Sequence, residues 1–153
     1  MASIFRDSKG LLLIDYLPHH SSITGEYYAG LLRKLREAIK EKRRGKLSRG
    51  VLLLHDNAPV HKSRVAQAQI QQCGSEELAH PAYSPDLAPS DFHLFRVLKA
   101  HLRGQRFQDD EHIKGNVEQW FDTQPETFFS SGIVALEQRW TKCIQVLGNY
   151  IEK

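Results

Sequence analysis

Val51-Leu52-Leu53-Leu54-His55-Asp56-Asn57-Ala58-Pro59-Val60-His61 runs four apolar residues straight into a cluster of hydrogen-bonding and metal-capable side chains. An apolar run of this length predicts a central strand covered on both faces, because a half-solvated strand would alternate apolar and polar residues. In open α/β sheets the functional groups gather beyond the carboxyl ends of such strands, and Asp56 stands there. Pro59 closes the strand and can open a helix, since the N–H it lacks is one that a first helical turn leaves unpaired anyway.

The complementary segment lies downstream, in Tyr83-Ser84-Pro85-Asp86-Leu87-Ala88-Pro89-Ser90-Asp91-Phe92-His93-Leu94-Phe95. Pro81, Pro85 and Pro89 stiffen this loop, and Ser90 is the expected N-cap of a helix with Phe92, Phe95, Leu98 and Leu102 on one side. Asp91 falls in its first turn, and 34 residues separate it from Asp56. Together the two segments resemble the catalytic core of mariner-type transposases, which pairs a His-Asp-Asn-Ala strand end with a Ser-Pro-Asp-Leu-x-Pro-x-Asp helix start at that separation. Gln105-Arg106-Phe107 and Arg139-Trp140-Thr141-Lys142-Cys143 extend the likeness, which runs from about Arg6 to Tyr150.

The resemblance implies an α/β fold of the RNase H-like DDE/D superfamily: a mixed sheet flanked by helices, here with the first strand missing. It also implies metal-dependent DNA strand cleavage and transfer, with Asp56 and Asp91 as catalytic, metal-holding acids. Mg²⁺ or Mn²⁺ is the implied cofactor, since hard cations take oxygen ligands. His55, Asn57 and His61 are supporting neighbours, for which strand-end and turn hydrogen bonding is the economical role. The family's first acid precedes the opening hairpin, and Asp7 does not align with it. Strand cleavage uses two cations about 3.5–4 Å apart, so two carboxylates imply an impaired catalyst. A still-active nuclease and a non-enzymatic nucleic-acid-binding or interaction module are the competing readings.

Upstream, Ser3–Arg6 and Leu11–Leu17 flank the turn-rich Asp7-Ser8-Lys9-Gly10 and predict a β-hairpin. Asp7 reads as a turn residue, Asp15 as a solvent-facing strand position, and His19-His20 as a solvated pair. From about Thr24 to Arg44, Tyr28, Leu31, Leu32, Leu35 and Ile39 recur at helical spacing. Between Arg33 and Arg49 stand nine basic residues against two acidic ones, while the whole chain is only +3. Arg33, Lys40, Arg43, Arg44, Lys46 and Arg49 are therefore candidate DNA contacts. The alternative is a solvated helix face whose late cations complement the macrodipole. DNA is the expected partner and a homodimer a candidate assembly.

Downstream, Val65–Cys73 predicts a short helix stopped by Gly74, with a brief strand at Leu78-Ala79-His80. Asp109-Asp110-Glu111 opens a helix carrying Ile113, Val117, Trp120 and Phe121. In the last helix Ile133, Leu136, Trp140, Cys143 or Ile144, and Leu147 are expected in the core. A length of 153 residues, 41% hydrophobic and 25% charged, suits one globular domain. No apolar run approaches a membrane span and no signal peptide opens the chain, so a nuclear or cytosolic protein is expected. Cys73 and Cys143 have neither disulfide-framework nor zinc-site spacing.

Overall fold

The computed structural model describes residues 1–147, so Tyr150, at the far end of the family likeness, lies outside the described residues. The chain divides into two compact units: Met1–Arg6 with Leu11–Tyr83, and Asp7–Gly10 with the chain from Ser84 onward.

In the first unit β1 (Ala2–Arg6) and β2 (Leu11–Tyr16) form the expected antiparallel hairpin, with Ile4 opposite Ile14. Asp7 has the turn role read from the sequence: its Oδ1 accepts from the amides of Lys9 at 3.0 Å and Gly10 at 3.1 Å. Asp15 is not solvent-facing. Its carboxylate takes the Tyr27 hydroxyl and, at 3.2 Å, Lys34 Nζ, so a neighbouring helix closes over a position that strand alternation assigns to water.

That helix is α1 (Gly25–Lys42), where Thr24 caps the start by accepting from Tyr27 N. Glu26 in the first turn and Lys40 and Lys42 in the last complement the helix dipole. Its apolar stripe is buried as the spacing predicts. Tyr28, Leu31, Leu32, Leu35 and Ile39 form one cluster with Leu12, Leu53, Ala66 and Ile70. A short helix α2 (Lys46–Arg49) leads to β3 (Val51–Leu53), then α3 (Pro59–Lys62), α4 (Arg64–Gln72) and β4 (Ser75–Glu77). Pro59 opens α3, and Gly74, at φ +71°, stops α4 in a conformation costly for any side chain.

Two sheet expectations fail here. β3 is not a central strand: among the described residues it pairs only with β4, in parallel, and Leu52 is 65% exposed. The mixed pairing is divided between two two-stranded ladders, because no strand among the described residues links β1 to β3. The next strand lies at Ser75–Glu77 rather than Leu78–His80. Glu77 is already opposite Leu53, the last residue of β3, and after the Leu78 amide bonds Leu53 O at 2.8 Å the ladder runs out.

In the second unit a 3₁₀ turn (Pro85–Leu87) and a π turn (Ser90–Leu94) precede α5 (Phe95–Leu102). Ser90 is not the N-cap. Pro89 already has helical angles (φ −56°, ψ −32°), so helical geometry starts one residue earlier and no side chain caps it. α6 (Asp110–Thr123) starts as expected, with Asp109 capping His112 N, and buries Val117, Trp120 and Phe121, whereas Ile113 is exposed.

α7 (Glu126–Gln145) departs furthest from expectation. Phe129 and Leu136 are buried, but Ile133, Trp140 and Ile144 are exposed, and Leu147 just beyond the helix is 93% exposed. Helical spacing fixes which residues share a face. Whether that face meets a neighbour is decided by the rest of the fold.

Candidate metal and nucleic-acid site

β3 ends at Leu53, so Asp56 stands three residues past the strand, in the loop that leads into α3. Its side chain is 64% exposed, and among the described residues both of its contacts fall on Oδ1: the Ala58 amide at 3.1 Å and His61 Nδ1 at 2.9 Å. The same His61 nitrogen donates to the Asp56 carbonyl at 3.0 Å, so one imidazole pins both backbone and carboxylate. Asn57 donates to the His80 carbonyl at 2.7 Å, anchoring the loop to the segment after β4. Turn and strand-end bonding is thus what the supporting residues do. Oδ2 of Asp56 remains as an exposed hard-oxygen donor.

Behind this loop lies a buried network that no sequence motif announces. His61 stacks on His55, with ring centroids 4.6 Å apart and planes at 9°, and lies 4.2 Å from the Tyr28 ring. His55 places Nδ1 2.6 Å from the Tyr28 hydroxyl and Nε2 2.8 Å from Glu77 Oε1, which also binds Lys62 Nζ.

Protonation follows from the surroundings. Lys62, and then His55, hold the Glu77 carboxyl down at about 2, against the desolvation that opposes them. Burial, partly offset by Glu77, lowers the pKa of His55, and burial together with the Asp56 and Glu77 charges raises that of Tyr28. At neutral pH the arrangement assigns a phenol donating to a neutral imidazole, which donates in turn to a carboxylate. His55 therefore braces the rings rather than facing a ligand. Tyr28 is legible in the sequence only as a core position of α1. Glu77 and Lys62 carry no motif, and only the parallel pairing of β3 with β4 brings Glu77 beside His55.

In the second unit Asp91 is exposed within the π turn, its amide bonded to Ala88 O at 2.9 Å. Such i→i+5 turns inside helices are uncommon and recur at functional sites. Two residues on, His93 Nε2 donates to the Phe128 carbonyl at 2.8 Å and its ring lies 4.6 Å from that of Phe128. Among the described residues no three His, Cys, Asp or Glu side chains are gathered so as to hold a metal ion.

Of the basic positions, Lys40, Arg44 and Arg49 are exposed and Arg43 and Lys46 half-buried, all at the end of α1 or on α2. Arg33 is set apart: its Nη1 donates to the buried Gln69 at 2.7 Å and ties α1 to α4. Among the described residues no helix is long and apolar enough to cross a membrane.

Residues 1–49 match the family model described as transposase (partial DDE domain). The mariner Mos1 transposase of Drosophila mauritiana is 36% identical over 154 residues, covering 99% of this chain and 45% of that protein. The histone-lysine N-methyltransferase SETMAR of Homo sapiens is 31% identical over 153 residues, covering 99% of this chain and 22% of the relative. The chain thus spans less than half the length of these relatives. Among solved structures, the Mos1 transposase catalytic domain with raltegravir and Mn is 36% identical at a TM-score of 0.94, over 97% of this chain and 76% of that one. The Mos1 paired-end complex with left transposon end gives 36% and 0.92, over 97% of this chain and 44% of that one. The fold is accordingly mixed α/β and RNase H-like.

Proposed function

This chain belongs to the mariner transposase family, and on that premise we propose that it acts on DNA phosphodiesters, with Asp56 and Asp91 holding divalent cations. What carries the reading is the pair of motifs with 34 residues between their acids. Asp56 and Asp91 stand in different units, and their pairing rests on those motifs.

The donor set suits Mg²⁺ or Mn²⁺. Mg²⁺ in particular is commonly held by one or two carboxylates, with water and substrate phosphate completing the shell. When bound, such cations activate the attacking oxygen and stabilise the leaving oxygen of an in-line displacement. The chain's own residues do the orienting. His61 and the Ala58 amide fix Oδ1 of Asp56, which leaves Oδ2 for a cation. Asn57 holds the loop, and the stacked Tyr28–His55–His61 rings stiffen its base. The cations at the end of α1 and on α2 supply phosphate contacts, with a homodimer as the candidate assembly and the nucleus or cytosol as the setting.

Two carboxylates fix a second cation poorly, so we propose that the 153-residue polypeptide alone is a weak catalyst and a better DNA binder. The excess of basic residues between Arg33 and Arg49 favours that emphasis. Plasmid nicking tests it. With Mg²⁺ or Mn²⁺ the polypeptide should nick supercoiled DNA a thousandfold or so more slowly than a complete site would, as expected for the loss of about 4 kcal/mol of transition-state stabilisation. DNA binding should weaken steeply as salt rises and on charge reversal at Arg43 and Arg44, and survive Asp56→Ala. Robust nicking abolished by Asp56→Ala would overturn the impairment and leave an active nuclease.

A further inference from the structure

We propose that Arg139 is a positioning residue for Asp91, bracing the segment that carries it on both sides. This deepens the reading of Asp91 as a metal-holding acid and rests on it. Arg139 lies half-buried on α7, and two contacts of its guanidinium fall on the segment around Asp91. Nη1 donates to the Asp86 carbonyl at 3.1 Å, and Cζ lies 4.2 Å from the centre of the Phe92 ring. One partner precedes Asp91 by five residues and the other follows it directly.

The backbone explains why a side-chain donor is wanted at Asp86. Through the 3₁₀ turn the ladder runs from Leu87 N to Ser84 O and from Ala88 N to Pro85 O, both at 3.1 Å. In that register the next carbonyl, that of Asp86, would accept from residue 89. Pro89 has no N–H to give. Asp86 is only 5% exposed, so its carbonyl has little access to water, and Arg139 delivers an N–H to it.

The other side of the brace matters because the π turn is wide. The amides of both Asp91 and Phe92 converge on Ala88 O, at 2.9 and 3.0 Å. Asp91 therefore moves with Phe92, and Phe92 is held under the guanidinium face by a cation–π contact. A lysine can serve as donor or as cation, but lacks the planar fork that does both at once. α7 adds a second hold through the Phe128 carbonyl and His93. The turn bearing an exposed acid is thereby fixed by one helix that itself contributes no acid to it.

Mn²⁺ alone, titrated into the 153-residue chain and followed by electron paramagnetic resonance, tests the proposal. Arg139→Met should raise the Mn²⁺ dissociation constant about tenfold, the scale on which loss of an orienting neighbour weakens metal sites. Arg139→Lys, which keeps length and charge, should fall between it and the unaltered chain. It carries the same test should Arg139→Met fail to fold. In an Asp91→Asn background neither substitution should change Mn²⁺ affinity further, whereas a general loosening of the fold would weaken binding in both backgrounds. Equal losses with and without Asp91 would overturn the positioning role. So would weakening by Asp91→Asn with none from either Arg139 variant. If Asp91→Asn itself leaves Mn²⁺ binding unchanged, the metal-site reading fails and takes this role with it.

Discussion

Glu77→Gln removes the charge that Lys62 and His55 share, and its cost should depend on pH in a defined way. Those two partners lower the Glu77 carboxyl from its usual 4.5 to about 2. Taken at face value the fall corresponds to about 3 kcal/mol of folding stability. The side chain keeps 19% of its surface exposed, and solvent screening brings the expectation to about 1–2 kcal/mol. Because the folded-state value lies below the unfolded one, this contribution is complete above pH 4.5 and is lost as pH falls from there towards 2.

His55 adds a second signature, since burial already lowers its pKa and Glu77 works against that fall. A neutral His55 contributes stability above pH 6.5 that is lost as pH drops below it. Without Glu77 the imidazole is harder still to protonate, so the variant should lose more than the unaltered chain just below about pH 6.5. The gap between the two should thus be about 1–2 kcal/mol at pH 7, widen slightly towards pH 5, and close by about pH 2. Urea unfolding followed by far-UV circular dichroism at half-unit intervals measures it. A gap that stays constant from about pH 2 to 7, or no gap at about pH 7, would refute the coupling of Glu77 to Lys62 and His55.

Two further substitutions test the packing of the first unit. A Cβ at Gly25 would lie 2.5 Å from Ser63 Oγ, the group that caps α4 by accepting from Ala66 N at 3.2 Å. Gly25→Ala should therefore dislodge that cap and cost about 1–2 kcal/mol, measured by chemical denaturation, despite the better helix propensity of alanine. Leu31, 1% exposed at the centre of the first unit's core, should cost about 3 kcal/mol on truncation to alanine, with a matching fall in the urea midpoint.

Much of this chain is legible from local chemistry alone. Thr24 and Asp109 mark helix starts because their side chains satisfy amides that a first turn leaves unpaired, and that bonding is local. The stripe from Tyr28 to Ile39 marks a buried face because its spacing matches the helical turn. The two acidic motifs and their separation are legible for the same reason, being patterns along the chain. Everything that turns on pairing is decided elsewhere. An apolar run says that Val51–Leu53 suits a strand, but it cannot count the strand's neighbours or say which face is covered: among the described residues β3 pairs with β4 alone, and Leu52 faces away from the core, exposed. Strand register, set by contacts between segments distant in sequence, places Glu77 beside His55 and puts β4 three residues from its expected place. The exposed stripe of α7 and the reach of Arg139 to Asp86 belong to the same class. Sequence periodicity assigns residues to faces, and only tertiary packing assigns faces to partners.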